Sequence, residues 1–142
     1  MTLTAFVWIM TVMIDHLSIG VRDLAASARF YDAVLAPLGY VKLHEREKTV
    51  GWARSGKTHA EFWINARPGM KPVAADSGTH ICLRTLSTAS VDAFHAAALK
   101  AGGTSDGAPG ARRDYSENYY AAFIRDPDGN KIEAVTFLIA AK

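Results

Sequence analysis

A pattern of apolar and polar positions occurs twice along the chain, with a glycine- and proline-containing linker at residues 66–78 between the two copies. Each copy starts with a strand rich in β-branched residues and continues with a helix whose apolar residues follow helical spacing. Asp23 caps the first helix, and Gly39 ends it. The predicted strands lie at residues 14–21, 40–45, 49–53, 60–65, 79–85, 119–125 and 131–137, the helices at 24–38 and 89–101, and a polar loop at 104–118.

The two copies align residue by residue, which indicates an internal duplication. A shift of 64 positions superposes His16 on His80 and Gly39 on Gly103, and a shift of 70 superposes Trp63 on Glu133. Each half is a strand, a helix and then two or three strands, and neither half alone covers both faces of its sheet. We therefore expect two curved sheets placed side by side around a trough, with His16 and His80 in related positions on its inner face.

Residues 124–135 predict two short strands joined by a tight turn. Asp128 and Gly129 supply the turn, and Pro127 fixes the backbone just before it. The second strand carries Glu133 between apolar neighbours, so its carboxylate is expected to be buried and to need a partner. An arginine partner, or a position at the rim facing water, is the alternative to a functional role.

Composition excludes several classes of function. The chain has 142 residues, is 49% hydrophobic and 21% charged, and carries a net charge of +2 with its basic residues scattered. This indicates one domain with a real core and no nucleic-acid partner. A single cysteine, Cys82, favours a cytoplasmic protein. Residues 1–12 are apolar but too short to span a bilayer, and they fit an upstream translation start, an extra edge strand or part of an interface.

Two histidines and a glutamate form the candidate site: His16, His80 and Glu133. Gathered from three strands, they match the ligands of a facial triad for a divalent metal such as Fe(II), Mn, Zn or Ni, with positions left open for water, substrate or dioxygen. Taken singly, a strand histidine is more often a hydrogen-bonded core or surface group than a metal ligand. Their duplicate positions favour the metal site.

Three segments, DHLSIGVRDLAASARFYDAVLAPLGY, THICLRT and FIRDPDGNKIEAV, resemble the vicinal oxygen chelate superfamily. That superfamily includes glyoxalase I, extradiol dioxygenases, fosfomycin-resistance transferases and bleomycin-resistance proteins. The resemblance covers about residues 14–137. It implies an α+β fold of two tandem βαβββ modules, about 13–67 and 79–138, in one domain after an extension of residues 1–12. It also implies a metal cleft enclosed by a curved mixed sheet, frequently a homodimer, and His16, His80 and Glu133 at the first, third and fourth ligand positions.

Tryptophan occupies the second ligand position of the resemblance, because Trp63 aligns there. Its indole cannot bind a metal. Glu61 lies two residues earlier on the same strand face, about 7 Å away, and would reach the site only if the strand pairing slips or bulges. The preferred alternative places Glu61 at a strand edge near Lys57 or His59.

Other side chains are candidates for a substrate pocket. Trp63, Tyr115 and Tyr120 are predicted to contribute aromatic walls, and Arg112 an anion-binding guanidinium. Trp52, Tyr119 and Arg113 belong to the same sets, and one of the phenols is a candidate acid or base; the alternative is that these rings are core and these arginines solvated. Cys82 shares a strand face with His80 and is either a soft ligand, a reactive thiol or, preferably, a small core residue. His44, His59 and His95 are expected at the surface.

Two functions from different classes follow. The first is a metal-dependent enzyme acting on a small molecule that chelates the metal through adjacent oxygens, either a lactoylglutathione-lyase-like isomerase with Glu133 as base or a dioxygenase. The second is a non-catalytic small-molecule binding protein that kept the fold and lost the metal, which the tryptophan at a ligand position favours.

Overall fold

The structure is a computed structural model that describes residues 13–139. The predicted extension at residues 1–12 lies outside this range. In chain order the elements are β1 (Leu17–Val21), α1 (Leu24–Leu35), a 3₁₀ turn (Ala36–Leu38), β2 (Tyr40–Glu45), β3 (Thr49–Arg54), β4 (Phe62–Ala66), β5 (Ile81–Arg84), α2 (Thr88–Lys100), β6 (Thr104–Ala111), β7 (Tyr119–Arg125) and β8 (Lys131–Phe137). Within residues 13–139, no helix is long and apolar enough to span a membrane.

The strands form two four-stranded mixed sheets, ordered β1-β4-β3-β2 and β5-β8-β7-β6. In each sheet the first strand pairs in parallel with the last strand of its half, and the remaining pairs are antiparallel. The same order in both halves confirms the predicted α+β fold of two βαβββ modules. Residues at duplicate positions, such as His16 and His80, therefore precede equivalent strands.

One apolar core joins the two modules. Val34, Ile64, Phe94 and Ile132 belong to the same buried cluster, although they come from both halves of the chain. α1 and α2 contact each other, and each helix also packs on strands of its own sheet. Because strand residues alternate between two faces, residues that point away from this core, including Glu133, lie on the opposite face of each sheet.

The predicted turn between β7 and β8 is confirmed. The Asp126 carboxylate accepts hydrogen bonds from the backbone N–H groups of Asp128 (2.9 Å) and Asn130 (2.8 Å). Gly129 has a φ of 89°, a conformation that favours glycine. The turn is thus held by its own acidic side chain as well as by its backbone.

The same turn also ties the second module to the first. The Tyr31 hydroxyl of α1 donates to Asp126 at 2.6 Å, and the Arg22 guanidinium binds Asp128 at 2.6 Å. Burial raises the pKa of Asp126, although its hydrogen bonds oppose that shift. Residues 126–130, DPDGN, therefore contribute to the contact between the modules.

The prediction of a loop at residues 104–118 is wrong for its first part, because β6 pairs with β7 there. β6 is an edge strand, and its pairing shifts register between Ser105 and Gly107 and again between Gly107 and Gly110. Such irregularities are typical of edge strands, where glycine and proline are also tolerated. They break the alternation by which a strand is recognised in a sequence.

Candidate functional site

Glu133 is the centre of a polar cluster on the face of the second sheet that points away from the core. It is 1% exposed, and its carboxylate has two side-chain partners. His80 Nε2 lies 3.0 Å from Oε2, and the Tyr119 hydroxyl donates to Oε1. Ile132 and Ala134, its neighbours along β8, face the core. The expectation of a buried carboxylate with a partner is confirmed, and the partners are a histidine and a tyrosine.

The strand register explains how these groups meet. β5 and β8 are parallel neighbours, with Cys82 directly opposite Glu133. His80 lies two residues before Cys82 and therefore points to the same side. Tyr119 approaches from β7, which pairs with the other edge of β8. The two strands that flank β8 thus bring an imidazole, a thiol and a phenol to the carboxylate that β8 carries.

Cys82 is exposed, so the expectation that it is a small core residue is wrong. Its Sγ lies 3.8 Å from the Tyr119 hydroxyl. Desolvation and the negative charge of Glu133 raise the pKa of Cys82 to about 12. A thiol with this pKa stays protonated at neutral pH, which makes Cys82 a poor nucleophile here.

Tyr119 is held in its protonated form. Desolvation and the hydrogen bond to Glu133 raise the pKa of Tyr119 well above its ordinary value. Its ring meets Tyr115 and Phe137 edge to face, with centroids 5.2 and 5.3 Å away. Tyr119 is therefore a positioned hydrogen-bond donor beside the carboxylate.

Apolar side chains continue the same face next to the polar cluster. Ala121, Phe123 and Val135 form a small second hydrophobic cluster, against which Tyr119 and Phe137 pack. Cations lie over its rings: Arg84 is 4.5 Å from the centroid of Phe137, and Lys131 is 4.9 Å from that of Phe123. The cluster is thus buried, and aromatic and basic side chains surround it on this face.

The donor set of His80 and Glu133 fits one divalent metal ion. Two ligands each about 2.1 Å from the same ion and at right angles to it are about 3 Å apart. The separation of 3.0 Å between His80 Nε2 and Glu133 Oε2 matches this value. An imidazole nitrogen and a carboxylate oxygen are also the ligand types that Fe(II), Mn, Zn and Ni accept. The pair is thus compatible with metal binding, and the same 3.0 Å separation is that of a hydrogen-bonded His–Glu pair.

His16 lies in a different group. Its Nδ1 is 2.5 Å from Asp15 Oδ1, and the same oxygen is 2.7 Å from His59 Nε2. In residues 13–139, these three side chains form the one group of three ligating residues whose donor atoms lie within 4.8 Å of one another. Hydrogen bonds from both histidines lower the pKa of Asp15. The structure thus brings His80 and Glu133 together without His16, and the three-residue metal set stays a prediction.

Glu61 makes the contacts of the preferred alternative. It forms an ion pair with Lys57, and its Oε2 accepts a hydrogen bond of 3.3 Å from the Arg54 backbone N–H. Trp63 lies two residues further, on β4, where its indole stacks on His44. Glu61 as a metal ligand gains no support from these contacts.

The predicted pocket residues are divided between two faces. Arg112 and Tyr115 border the Glu133 face, with Arg112 lying 5.7 Å from the centroid of Phe123. Tyr120 points the other way, and its hydroxyl donates to Asp92 of α2 at 2.7 Å. Trp52 is a core residue that donates to Asp32 at 2.9 Å.

Asp15 and His59 form, with His16, a cluster that the sequence pattern missed. They are 44 positions apart and belong to no motif, and His59 lies in the loop before β4. Asp15 does directly precede His16, which is the one local signal for it.

Two βαβββ modules, the second of which carries an imidazole beside a buried carboxylate, define an α+β protein of the paired-module type. Residues 13–134 match the family model described as Glyoxalase/Bleomycin resistance protein/Dioxygenase superfamily, and the chain belongs to this superfamily. The resemblance found in the sequence is thereby confirmed. The comparison with curated proteins gave no match.

Solved structures agree with this assignment. A glyoxalase/bleomycin resistance protein from Albidiferax ferrireducens T118 is 34% identical, with 87% of this chain and 98% of that chain covered and a TM-score of 0.73. Two others share the fold at lower identity. A family enzyme from Burkholderia phytofirmans PsJN is 19% identical (87% and 98% covered, TM-score 0.65), and the fosfomycin resistance protein FosX from Listeria monocytogenes is 15% identical (92% and 97% covered, TM-score 0.64).

Proposed function

We propose that this protein is a metal-dependent enzyme that acts on a small molecule with two adjacent oxygens. The observation that carries the proposal is the Glu133 carboxylate, buried and held between His80 and Tyr119. A buried carboxylate is costly unless it is paired, and here both partners come from other strands. His80 and Glu133 would hold an Fe, Mn, Zn or Ni ion, which would act as a Lewis acid and stabilise negative charge on the substrate oxygens.

The side chains of the chain itself have distinct tasks in this proposal. His80 and Glu133 would bind the metal ion. The Glu133 carboxylate would also serve as a base that accepts a proton from the substrate. Tyr119 donates a hydrogen bond that fixes the Glu133 carboxylate, and it stays protonated because its pKa is raised. The apolar cluster of Ala121, Phe123 and Val135 excludes water from one side.

We further propose that the enzyme is a homodimer in which His16 of a second copy completes the site. One copy provides His80 and Glu133 as a pair, while its own His16 lies with Asp15 and His59. In a twofold dimer, any contact that residue i of one copy makes with residue j of the other occurs twice. Two identical sites would therefore form, each with His16 from one copy and His80 and Glu133 from the other. Mixing the variants His16→Ala and Glu133→Ala tests this directly. In random exchange about a quarter of the wild-type sites should return, whereas a site within one chain returns none.

A non-catalytic binding protein is the second candidate, and Trp63 is the observation that favours it. An indole at the second ligand position removes one metal ligand and adds an aromatic surface that stacks on His44 with ring planes 4° apart. Such a protein would bind a small molecule without a metal.

Thermal melting with added Mn, Ni, Zn or Fe(II) separates the two candidates. A metal ion that binds only the native state and is present at about 100 times its Kd adds about 2.7 kcal/mol to the free energy of unfolding. In a chain of this size that raises Tm by about 5–10 °C. The enzyme proposal expects this rise in the wild type and its loss in Glu133→Gln. Melting temperatures that no metal changes would favour the binding protein.

A further inference from the structure

The indole of Trp63 is fixed on the face of the first sheet that points away from the core. In the register of β4, Trp63 lies beside Ser18 of β1 on one side and beside Gly51 of β3 on the other. A Cβ atom at Gly51 would lie 2.8 Å from two ring atoms of Trp63, Cε3 and Cζ3, and 2.9 Å from a third, Cδ2, closer than real Cβ contacts allow. The ring therefore fills the space above position 51, which explains why a residue without a side chain is needed there.

Two further contacts set the orientation of the ring. The imidazole of His44 stacks on the indole, with centroids 5.5 Å apart and planes at 4°. The indole Nε1 donates to the backbone carbonyl of Ala60 at 3.2 Å. Trp63 is only partly buried, so it presents a pre-oriented aromatic surface instead of filling the core.

A positive charge accompanies this aromatic surface. The guanidinium carbon of Arg46 lies 5.4 Å from the centroid of the Trp63 ring, within the range of a cation–π contact. None of the ion pairs formed within residues 13–139 includes Arg46. Its planar guanidinium is thus available to bind a carboxylate through two parallel hydrogen bonds.

A cavity of about 210 Å³ lies between these groups and the first strand, lined by His16, Ser18, Arg46, Thr49 and Trp63. It is smaller than the cavities of about 300–1,000 Å³ that hold drug-sized ligands. A ligand of one ring with a small substituent suits this volume. His16 forms one wall, so such a ligand would lie next to a predicted metal ligand.

We propose that this cavity binds a planar aromatic carboxylate, with the ring on Trp63 and the carboxylate on Arg46. The assignment deepens the proposed function by naming its substrate class, and it rests on that function for the place of His16 in the reaction site. Binding itself needs no metal, because neither Trp63 nor Arg46 is a metal ligand. The exchange of a ligand residue for tryptophan then has a positive role, since it provides the surface that selects an aromatic substrate.

Calorimetric titration of the metal-free protein with benzoate tests this proposal. Cyclohexanecarboxylate has the same charge without the aromatic ring, and benzyl alcohol has the ring without the charge. Benzoate should bind about tenfold more tightly than either, as expected when stacking and a charged hydrogen bond both contribute. Benzoate that binds no better than cyclohexanecarboxylate, or not at all at about 10 mM, would overturn the proposal.

Variants separate the two contacts. Arg46→Gln should weaken benzoate about tenfold and leave benzyl alcohol unchanged, whereas Trp63→Leu should weaken both and Trp63→Phe should recover part of the loss. Arg29→Gln, which removes an exposed arginine from α1, is the matched control and should change neither. Unchanged benzoate affinity in Arg46→Gln or Trp63→Leu would contradict the proposal.

Separate titrations of the wild type with metal and with benzoate distinguish this inference from the proposed function. Benzoate binding is measured on metal-free protein, so its outcome does not depend on whether a metal binds. If the metal-induced rise in Tm is absent but benzoate binds as described, the enzyme proposal fails and the aromatic subsite stands. If a metal raises Tm but benzoate does not bind as described, the aromatic subsite is ruled out and the enzyme proposal stands.

Discussion

The hydroxyl of Tyr119 donates to the carboxylate of Glu133, and the two residues come from neighbouring antiparallel strands of the second sheet. His80 completes the surroundings of this carboxylate from the parallel strand on its other side. The acid that the sequence predicts as a metal ligand is therefore positioned by Tyr119, which the sequence predicts only as one of several pocket rings. The contact is the basis of the first prediction.

Tyr119→Phe should lower the free energy of unfolding by about 1–3 kcal/mol, because it leaves one oxygen of a buried carboxylate without its partner. Urea denaturation measures the change. Tyr115→Phe is the control, since Tyr115 is 63% exposed and its variant should be as stable as the wild type. Equal stability of Tyr119→Phe and Tyr115→Phe would show that the Tyr119–Glu133 contact contributes nothing.

Cys82 should react slowly with Ellman's reagent in chelator-treated protein, because its pKa is raised to about 12 by desolvation and by the charge of Glu133. At pH 8.5 the thiolate fraction is about a thousandfold below that of an ordinary cysteine, and it grows tenfold per pH unit. Glu133→Gln removes the negative charge, so the pKa should fall and the reaction accelerate at fixed pH.

The reagent reports on Cys82 alone, since the chain has one cysteine. Glu45→Gln removes an exposed acid from the first module and should leave the rate unchanged. A rate in Glu133→Gln equal to that of the wild type would contradict the assigned cause.

Gly51→Ala should abolish most benzoate binding, because the added methyl group would lie 2.8 Å from the Trp63 ring and displace it. Gly69→Ala is the matched control, as a Cβ there meets nothing within 4 Å. Metal-induced stabilisation should be the same in both variants. Gly51 lies on β3 of the first sheet, whereas Glu133 lies on β8 of the second sheet and His80 directly before β5 of the same sheet. Wild-type benzoate affinity in Gly51→Ala would be evidence against the proposed orientation of the ring.

His59→Ala should keep the metal content of the wild type, because the proposed site uses His80, Glu133 and His16 of a second copy but not His59. The exposed group of Asp15, His16 and His59 is the competing location for a metal. Metal analysis of the purified variant decides between them, with His95→Ala as a histidine control outside both groups. Loss of metal from His59→Ala but not from His95→Ala would show that the metal binds to the group of Asp15, His16 and His59.

The duplication in the sequence predicted the arrangement of the helices and strands and the neighbouring positions of His80 and Glu133. Equivalent strands place His80 beside Glu133, because a strand period of two and a hairpin turn suffice to determine which face each residue occupies. The turn at Asp126–Gly129 was also predictable, since aspartate, proline and glycine in this order are typical of tight turns.

Other features depended on information that strand periods do not contain. The group of Asp15 and His59 is formed by two segments without regular structure, so no periodicity links them. β6 was missed because its register irregularities hide the alternation. The face occupied by each tyrosine of β7 required the register of that strand, and Tyr119 and Tyr120, adjacent in sequence, point to opposite sides.

Metal content per chain is the decisive measurement for the proposed site of His80 and Glu133. Protein purified without chelator should contain close to one Fe, Mn, Zn or Ni ion per chain by mass spectrometry, and both His80→Ala and Glu133→Ala should lose it while remaining folded by circular dichroism. Wild-type protein without metal that also takes up none on dialysis, or wild-type metal content in Glu133→Ala, would contradict the account.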